Sequence, residues 1–262
     1  MIREDNSVDR RLDPVGVFDS GVGGISALRE MIRVLPAETF IYYGDIRNAP
    51  YGTKSTDEVI SCARAVVRKL LDQKIKALVI ACNTATGAAA ATLRRELSIP
   101  VIGMEPALKP ASEIRKNGRI LVLATPLTLH QEKFNRLMEK YGEGAERVPC
   151  NGLMELVEKE DFSGAEQYLR KLFSGFDMAQ VDAVVLGCTH YVFLKDMIRD
   201  MIPAETAITE GSEGTARQLR RILQKNDLLN EQGEGRVILQ TSGTEKDIRL
   251  MRKLLEKDKM GR

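Results

Sequence analysis

The chain has 262 residues, 43% of them hydrophobic, enough to bury one large or two medium cores. Its 39 basic and 37 acidic residues leave a formal net charge of +2, scattered rather than blocked, and offer nucleic acid no basic tract. No apolar run approaches the roughly 18 residues of a membrane span, and the N-terminus lacks the apolar stretch of a secretion signal.

The cytoplasm is the expected compartment. Four cysteines, Cys62, Cys82, Cys150 and Cys188, include no C-x-x-C pair and are too sparse for a disulfide framework, so reduced thiols are expected. His130 and His190 are too few and too far apart for a zinc site of ordinary spacing, and no metal is expected.

Residues 1–13 are charged and read as a flexible extension. Val15 to Phe18 is a short strand, followed by the tight turn Asp19-Ser20-Gly21-Val22-Gly23-Gly24 and a helix from Ile25 to Val34. Phe40 to Tyr43 is a second strand. An irregular stretch through Pro50, Tyr51 and Gly52 leads to a helix from about Thr56 to Gln73, capped by Ser55 or Thr56. The apolar run Ala77 to Ala81 stops at Cys82-Asn83-Thr84, with a helix expected from Thr86 to Leu97 and a strand at Pro100 to Met104.

The pattern then restarts. Helix Leu108 to Lys116, strand Arg119 to Leu123, the polar strand end Thr125-Pro126-Leu127-Thr128 and helix Leu129 to Tyr141 follow in order. Cys150 lies in a turn before a helix that carries Glu155 and Glu158, and Ala165 to Phe173 is helical. A second apolar run, Ala183 to Leu186, ends at Gly187-Cys188-Thr189-His190. Beyond it come helix Phe193 to Met201, strand Ala207 to Glu210, helix Gly214 to Lys225, strand Arg236 to Gln240 and helix Glu245 to Lys257.

Val-, Ile- and Leu-rich runs followed by helices are the units of an α/β fold, whose ligands collect at the carboxyl ends of parallel strands. The expected architecture is two similar α/β domains with mainly parallel sheets and an active site in the cleft between them. Each half supplies a hydroxyl-bearing strand end, Ser20 or Thr125, and a cysteine-bearing one, Cys82 or Cys188. Two thiols facing one substrate suit inversion at an α-carbon, where one base removes a proton and an acid delivers another to the opposite face. Cysteine fits that exchange because its pKa of about 8.5 is readily lowered by neighbours. His190 is placed to assist Cys188, and Asp19 to assist Cys82 from a neighbouring strand end. Ser20, Asn83, Thr84, Thr125, Thr128 and Thr189, with backbone amides at helix starts, are expected to bind substrate carboxylates.

Four ordered segments carry a resemblance. Phe18 to Gly24, Tyr43-Gly44-Asp45 with Ala49-Pro50-Tyr51-Gly52, Ala81-Cys82-Asn83-Thr84-Ala85-Thr86 and Leu186-Gly187-Cys188-Thr189-His190-Tyr191 resemble the signatures of the glutamate racemases, pyridoxal-independent enzymes that supply D-glutamate for bacterial peptidoglycan. The resemblance implies catalytic thiols at Cys82 and Cys188, with supporting roles for Asp19, His190 and Glu158. It implies substrate contacts from Ser20, Pro50, Tyr51, Gly52, Asn83, Thr84, Thr125, Thr128 and Thr189, and no cofactor. Cys188 would deprotonate L-glutamate and Cys82 D-glutamate. A first domain of 14–104 plus 213–262 and a second of 105–212 would follow, as would a homodimer.

The chain departs from the pattern at Ala124-Thr125-Pro126-Leu127-Thr128, at Cys150-Asn151 and at Glu210, and Glu155 competes with Glu158 for the supporting role. Cys62 and Cys150 read as ordinary buried residues. The spacing of Gly21-Val22-Gly23-Gly24 is not that of a dinucleotide-binding loop. Aspartate is the nearest alternative substrate. A Cys-His hydrolase or amidase would use Cys188 as a nucleophile and leave Cys82 idle. A lyase or cis-trans isomerase, or a non-catalytic binder of acidic ligands, completes the alternatives.

Overall fold

The structure is a computed structural model that describes residues 9–256. Its strands are β1 (Val15–Asp19), β2 (Phe40–Gly44), β3 (Ala77–Ile80), β4 (Val101–Gly103), β5 (Arg119–Ala124), β6 (Ala145–Pro149), β7 (Val181–Leu186), β8 (Ala207–Glu210) and β9 (Val237–Thr241). The helices of the first half are α1 (Ile25–Val34), α2 (Thr56–Leu71), α3 (Asn83–Glu96), α4 (Leu108–Ile114), α5 (Pro126–His130) and α6 (Glu132–Tyr141). Those of the second are α7 (Leu153–Glu158), α8 (Phe162–Phe173), α9 (Lys195–Arg199), α10 (Ser212–Lys225) and α11 (Glu245–Glu256).

Two sheets result, ordered β4-β3-β1-β2-β9 and β6-β5-β7-β8. Every pairing is parallel, as expected of strands joined by helical crossovers. The central strands β1 and β3 are buried along their whole length, which explains why they read as unbroken apolar runs. Helices cover both faces of each sheet. In the first sheet Val15, Val17 and Val79 pack on one side with Leu28, Met31 and Leu219, while Phe18, Leu78 and Ile80 pack on the other with Val66, Leu70 and Leu93. The last strand, β9, lies beside β2 at the edge of the first sheet.

Several boundaries differ from the sequence expectation. The helix expected over 129–141 is two helices: α5 starts early, at Pro126, because Thr125 caps it through Thr128 N–H and a missing N–H costs nothing in its first turn, and the extended backbone of Gln131 separates it from α6. Strand β6 carries no apolar period in the sequence, because only Val148 of its five residues is buried. Helix α3 begins at Asn83, directly after Cys82, and the run after Cys188 is a 3-10 helix (Thr189–Leu194) before the short α9. The helix over 56–73 ends at Leu71, and Ser55 closes its start with a reciprocal capping box to Glu58.

Of the extension expected over 1–13, residues 1–8 lie outside the described residues, as does the end of the last helix at Lys257. Arg10–Leu12 form a 3-10 turn capped by Asp9. Lys76 donates to the carbonyl of Arg11, and its ammonium lies 2.6 Å from the Glu38 carboxylate, with both side chains fully buried. Glu38 also accepts from the N–H of Asn230. One buried ion pair thus ties the 3-10 turn to the segment that leads into β9.

Candidate active site

Parallel pairing puts all the carboxyl ends of a sheet on one edge, and here the two edges face one another. From the first sheet, β1 delivers Asp19 and Ser20, and β3 delivers Cys82 at the N-cap of α3, where its sulfur accepts from Ala85 N–H at 3.4 Å. From the second, Thr125 follows β5, and Gly187 and Cys188 follow β7. Both thiols line one cavity of about 20 Å3, together with Ser20, Tyr51, Gly52, Asn83, Thr84, Thr125, Met154, Gly187, Thr189 and His190.

The thiols differ in their neighbours. Cys82 Sγ lies 3.6 Å from Ser20 Oγ. Burial pushes its pKa up to about 12, the charge of Asp19 adds to that, and the Ala85 amide and Ser20 hydroxyl oppose it. Cys188 Sγ lies 3.8 Å from His190 Nδ1, and His190 Nε2 is 3.0 Å from Glu158 Oε1. Burial alone would depress the imidazole pKa, but the bonds to Cys188 and Glu158 outweigh it and raise the value well above the ordinary one. The imidazole beside the second thiol therefore holds its proton more tightly than a free one. Asp19 accepts from Gly21 N–H at 2.7 Å and from Thr189 Oγ1 at 3.1 Å. Its pKa is raised by burial, against the opposing charge of His190 and those two hydrogen bonds.

Steric room for the histidine comes from the glycine turn. A Cβ on Gly23 would fall 2.4 Å from His190 Nδ1 and 2.5 Å from Thr189 Oγ1, and one on Gly21 would fall 1.8 Å from Glu158 Oε1. The turn after β1 therefore lacks side chains where the His190–Glu158 pair docks against it. Glu158 also accepts from Val22 N–H at 3.4 Å, and Ser26 donates to the Thr189 carbonyl at 3.3 Å. Opposite, the hydroxyls of Thr84, Thr125 and Thr128 form a triangle with edges of 2.9–3.0 Å.

A model of the Asp/Glu/hydantoin racemase family matches residues 15–218. The chain belongs to that family. This racemase is 50% identical over 250 residues to the glutamate racemase of Clostridium novyi (strain NT), covering 92% of this chain and 96% of the other. Its fold matches a glutamate racemase of Bacillus anthracis with a TM-score of 0.83 at 32% identity, covering 93% of each chain. It also matches a Francisella tularensis glutamate racemase, solved in complex with D-glutamate, with a TM-score of 0.80 at 28% identity and 94% coverage of each chain. The reaction class is that of an amino-acid racemase, an isomerase.

In this racemase ten of the fourteen residues singled out from sequence line the cavity: Cys82, Cys188, His190, Ser20, Tyr51, Gly52, Asn83, Thr84, Thr125 and Thr189. Asp19 and Glu158 stand behind Thr189 and His190, Thr128 stands behind Thr84 and Thr125, and Pro50 precedes Tyr51 outside the lining. Glu158, rather than Glu155, meets His190.

Asp45 was not assigned a role from sequence. It is buried and accepts from Tyr51 Oη at 2.7 Å and from Asn48 Nδ2 at 2.9 and 3.1 Å, which fixes the loop that carries Tyr51 and Gly52. Met154 faces the cavity without any sequence signal. Cys150 is buried, with its thiol pushed up to about 12 by burial, and Cys62 lies on α2 away from the cavity. Among the described residues no group of three or more His, Cys, Asp or Glu is arranged to hold a metal, and no helix is long and apolar enough to cross a membrane.

Proposed function

We propose that this chain interconverts L- and D-glutamate by a cofactor-independent, two-base mechanism and so supplies D-glutamate for peptidoglycan. The observation that carries the reading is that Cys82 and Cys188, at the ends of strands in different sheets, line one cavity with different proton-handling partners. Cys188 as thiolate, paired with the His190 imidazolium, takes the α-proton of L-glutamate. The Cys82 thiol, held protonated by burial, gives its proton to the opposite face. D-glutamate leaves with Cys188 protonated and Cys82 ionised, and the reverse reaction exchanges these roles.

The α-carboxylate, which accepts charge as the carbanion forms, is met by the hydroxyls of Ser20 and Thr84 and the amides that open α3, while Thr189 gives its proton to Asp19. Asn83 Oδ1 is buried without a partner, an acceptor suited to the substrate ammonium. A cavity of about 20 Å3 holds little more than one water-sized centre, so substrate enters when the two edges part. We assign residues 14–104 with 213–262, of which 257–262 lie outside the described residues, to one unit and 105–212 to the other; the position of β9 beside β2 supports that division. The reading extends to a cytoplasmic homodimer, which sedimentation tests directly.

The experiment is proton NMR of L-glutamate, and separately L-aspartate, in D2O, with a chiral assay of product. Loss of the α-proton signal with formation of D-glutamate is expected, and activity is expected to survive dialysis against chelators and carbonyl reagents. Cys82→Ser and Cys188→Ser are each expected to abolish racemisation, while each variant retains α-proton exchange with one enantiomer at most. Normal turnover in either variant would sink the two-base mechanism, and an acyl group trapped on Cys188 would replace it with the hydrolase reading.

A further inference from the structure

Two local choices in this chain run against helix chemistry, and they meet. Helix α3 reads Asn83-Thr84-Ala85-Thr86-Gly87-Ala88-Ala89-Ala90-Ala91, with a glycine beside four alanines, although glycine is the weakest ordinary helix former. Gln131 is the N-cap of α6, a position that favours short acceptors such as Ser, Thr, Asp or Asn, and its side chain makes no capping bond there. Instead it reaches out of its own unit. Its Nε2 donates to the Thr84 carbonyl at 2.9 Å, and a Cβ on Gly87 would fall 1.6 Å from its Oε1 and 2.3 Å from its Cδ. Gln131 is 8% exposed, so the bond is shielded from water.

The geometry points to Gln131 and Gly87 as a cross-cleft latch, with Gln131 a positioning residue for substrate binding. The side chain fills the notch left by glycine, and its amide holds the carbonyl of the residue whose hydroxyl bonds to Thr125 and Thr128. Thr84 lies in the first turn of α3, next to Asn83 and two residues from Cys82. The latch joins the first sheet's cysteine helix to the helix break that follows the second sheet's threonine strand end. It forms when the two edges are together and is lost when they part, so its contribution goes to closure over substrate rather than to either proton transfer.

The kinetic readout rests on the proposed glutamate racemisation, while the melting readout does not. Gln131→Ala is expected to raise KM for L- and D-glutamate by the same factor, about fivefold to tenfold for one shielded hydrogen bond, with both kcat values within about twofold. Gln131→Glu keeps the size but loses the donor and sets a carboxylate against the Thr84 carbonyl, so it should raise both KM values at least as much as the alanine variant. Gly87→Ala expels Gln131 and should raise both KM values similarly. In the double variant Gly87→Ala, Gln131→Ala the clash is gone. Its KM should equal that of Gln131→Ala, and its melting temperature should exceed that of Gln131→Ala, because alanine favours the helix once the notch is empty.

Additive effects of the two substitutions on melting would overturn the latch. A Gln131→Ala variant that melts lower with unchanged KM would reduce Gln131 to a packing residue. A change in kcat for one enantiomer alone would place it with one thiol instead. If the wild-type protein does not racemise glutamate, the functional reading falls, and the melting cycle still decides whether the latch exists.

Discussion

Glu158→Gln isolates the charge behind His190 while keeping the side chain's size. The carboxylate oxygen is 3.0 Å from His190 Nε2 and 3.4 Å from Val22 N, with the glutamate side chain 18% exposed and the histidine 2%. A hydrogen bond between charged partners contributes about 1.5–3 kcal/mol. Partial exposure of the glutamate argues for the lower half of that range, a loss of about tenfold to thirtyfold in kcat/KM. Because the two enantiomers have equal free energies, the loss must be equal in both directions. The isotope effect need not be. Proton transfer at Cys188 becomes the slower step, so α-deuterated L-glutamate should show a larger primary isotope effect than α-deuterated D-glutamate.

The pH dependence has a definite sign. The raised folded pKa of His190 means that its pairing stabilises the protein fully below the unfolded value of about 6.5 and ceases to do so as pH rises through the folded value. Relative to wild type, Glu158→Gln should therefore lose most melting temperature near pH 6 and progressively less above, and its alkaline activity limb should move to lower pH. Wild-type kcat/KM with an unmoved alkaline limb would refute the role given to Glu158.

Gly23→Ala places a methyl 2.4 Å from His190 Nδ1 and 2.5 Å from Thr189 Oγ1. Displacing those groups by the better part of an ångström should cut kcat/KM by about a hundredfold or more while the circular dichroism spectrum is kept, and activity within tenfold of wild type would contradict the packing described. Far from the cleft, Lys76→Met leaves the Glu38 carboxylate buried and unpaired, and urea unfolding should report a loss of about 3–5 kcal/mol. Lys76→Met combined with Glu38→Leu should recover much of it; simple additivity of the two losses would argue against a coupled pair.

The parts of the fold legible in the sequence are those whose surroundings are uniform. Strands β1, β3 and β7 are buried nearly throughout and show as apolar runs, and the abrupt polar stop after each marks the edge where the site lies. The edge strand β6 has one buried residue and therefore no period to read. The sequence placed Glu155 and Glu158 on one short helix, but the choice between them depends on the close approach that Gly21 permits, a contact 137 positions away along the chain. Met154 and Gln131 were invisible for a related reason. Met154 packs in the core of the second sheet and only its place in the fold turns it to the cavity, while Gln131 bonds across the cleft to Thr84, and neither leaves a local pattern.

The cysteine-bearing strand ends repeat in backbone layout, yet their neighbours do not: a hydroxyl, an amide and a distant carboxylate on one side, an imidazole and a carboxylate on the other. That mismatch is unavoidable in a chain of L-residues, which can repeat a half by rotation but can never build its reflection. Handedness in the catalyst must nevertheless vanish from the ratio of forward to reverse kcat/KM, since the enantiomers are equal in energy. Any advantage one thiol gains in speed has to reappear as tighter or looser holding of one hand of the substrate. The two sides can therefore drift apart in chemistry, each acquiring its own partners, without ever biasing the mixture they produce.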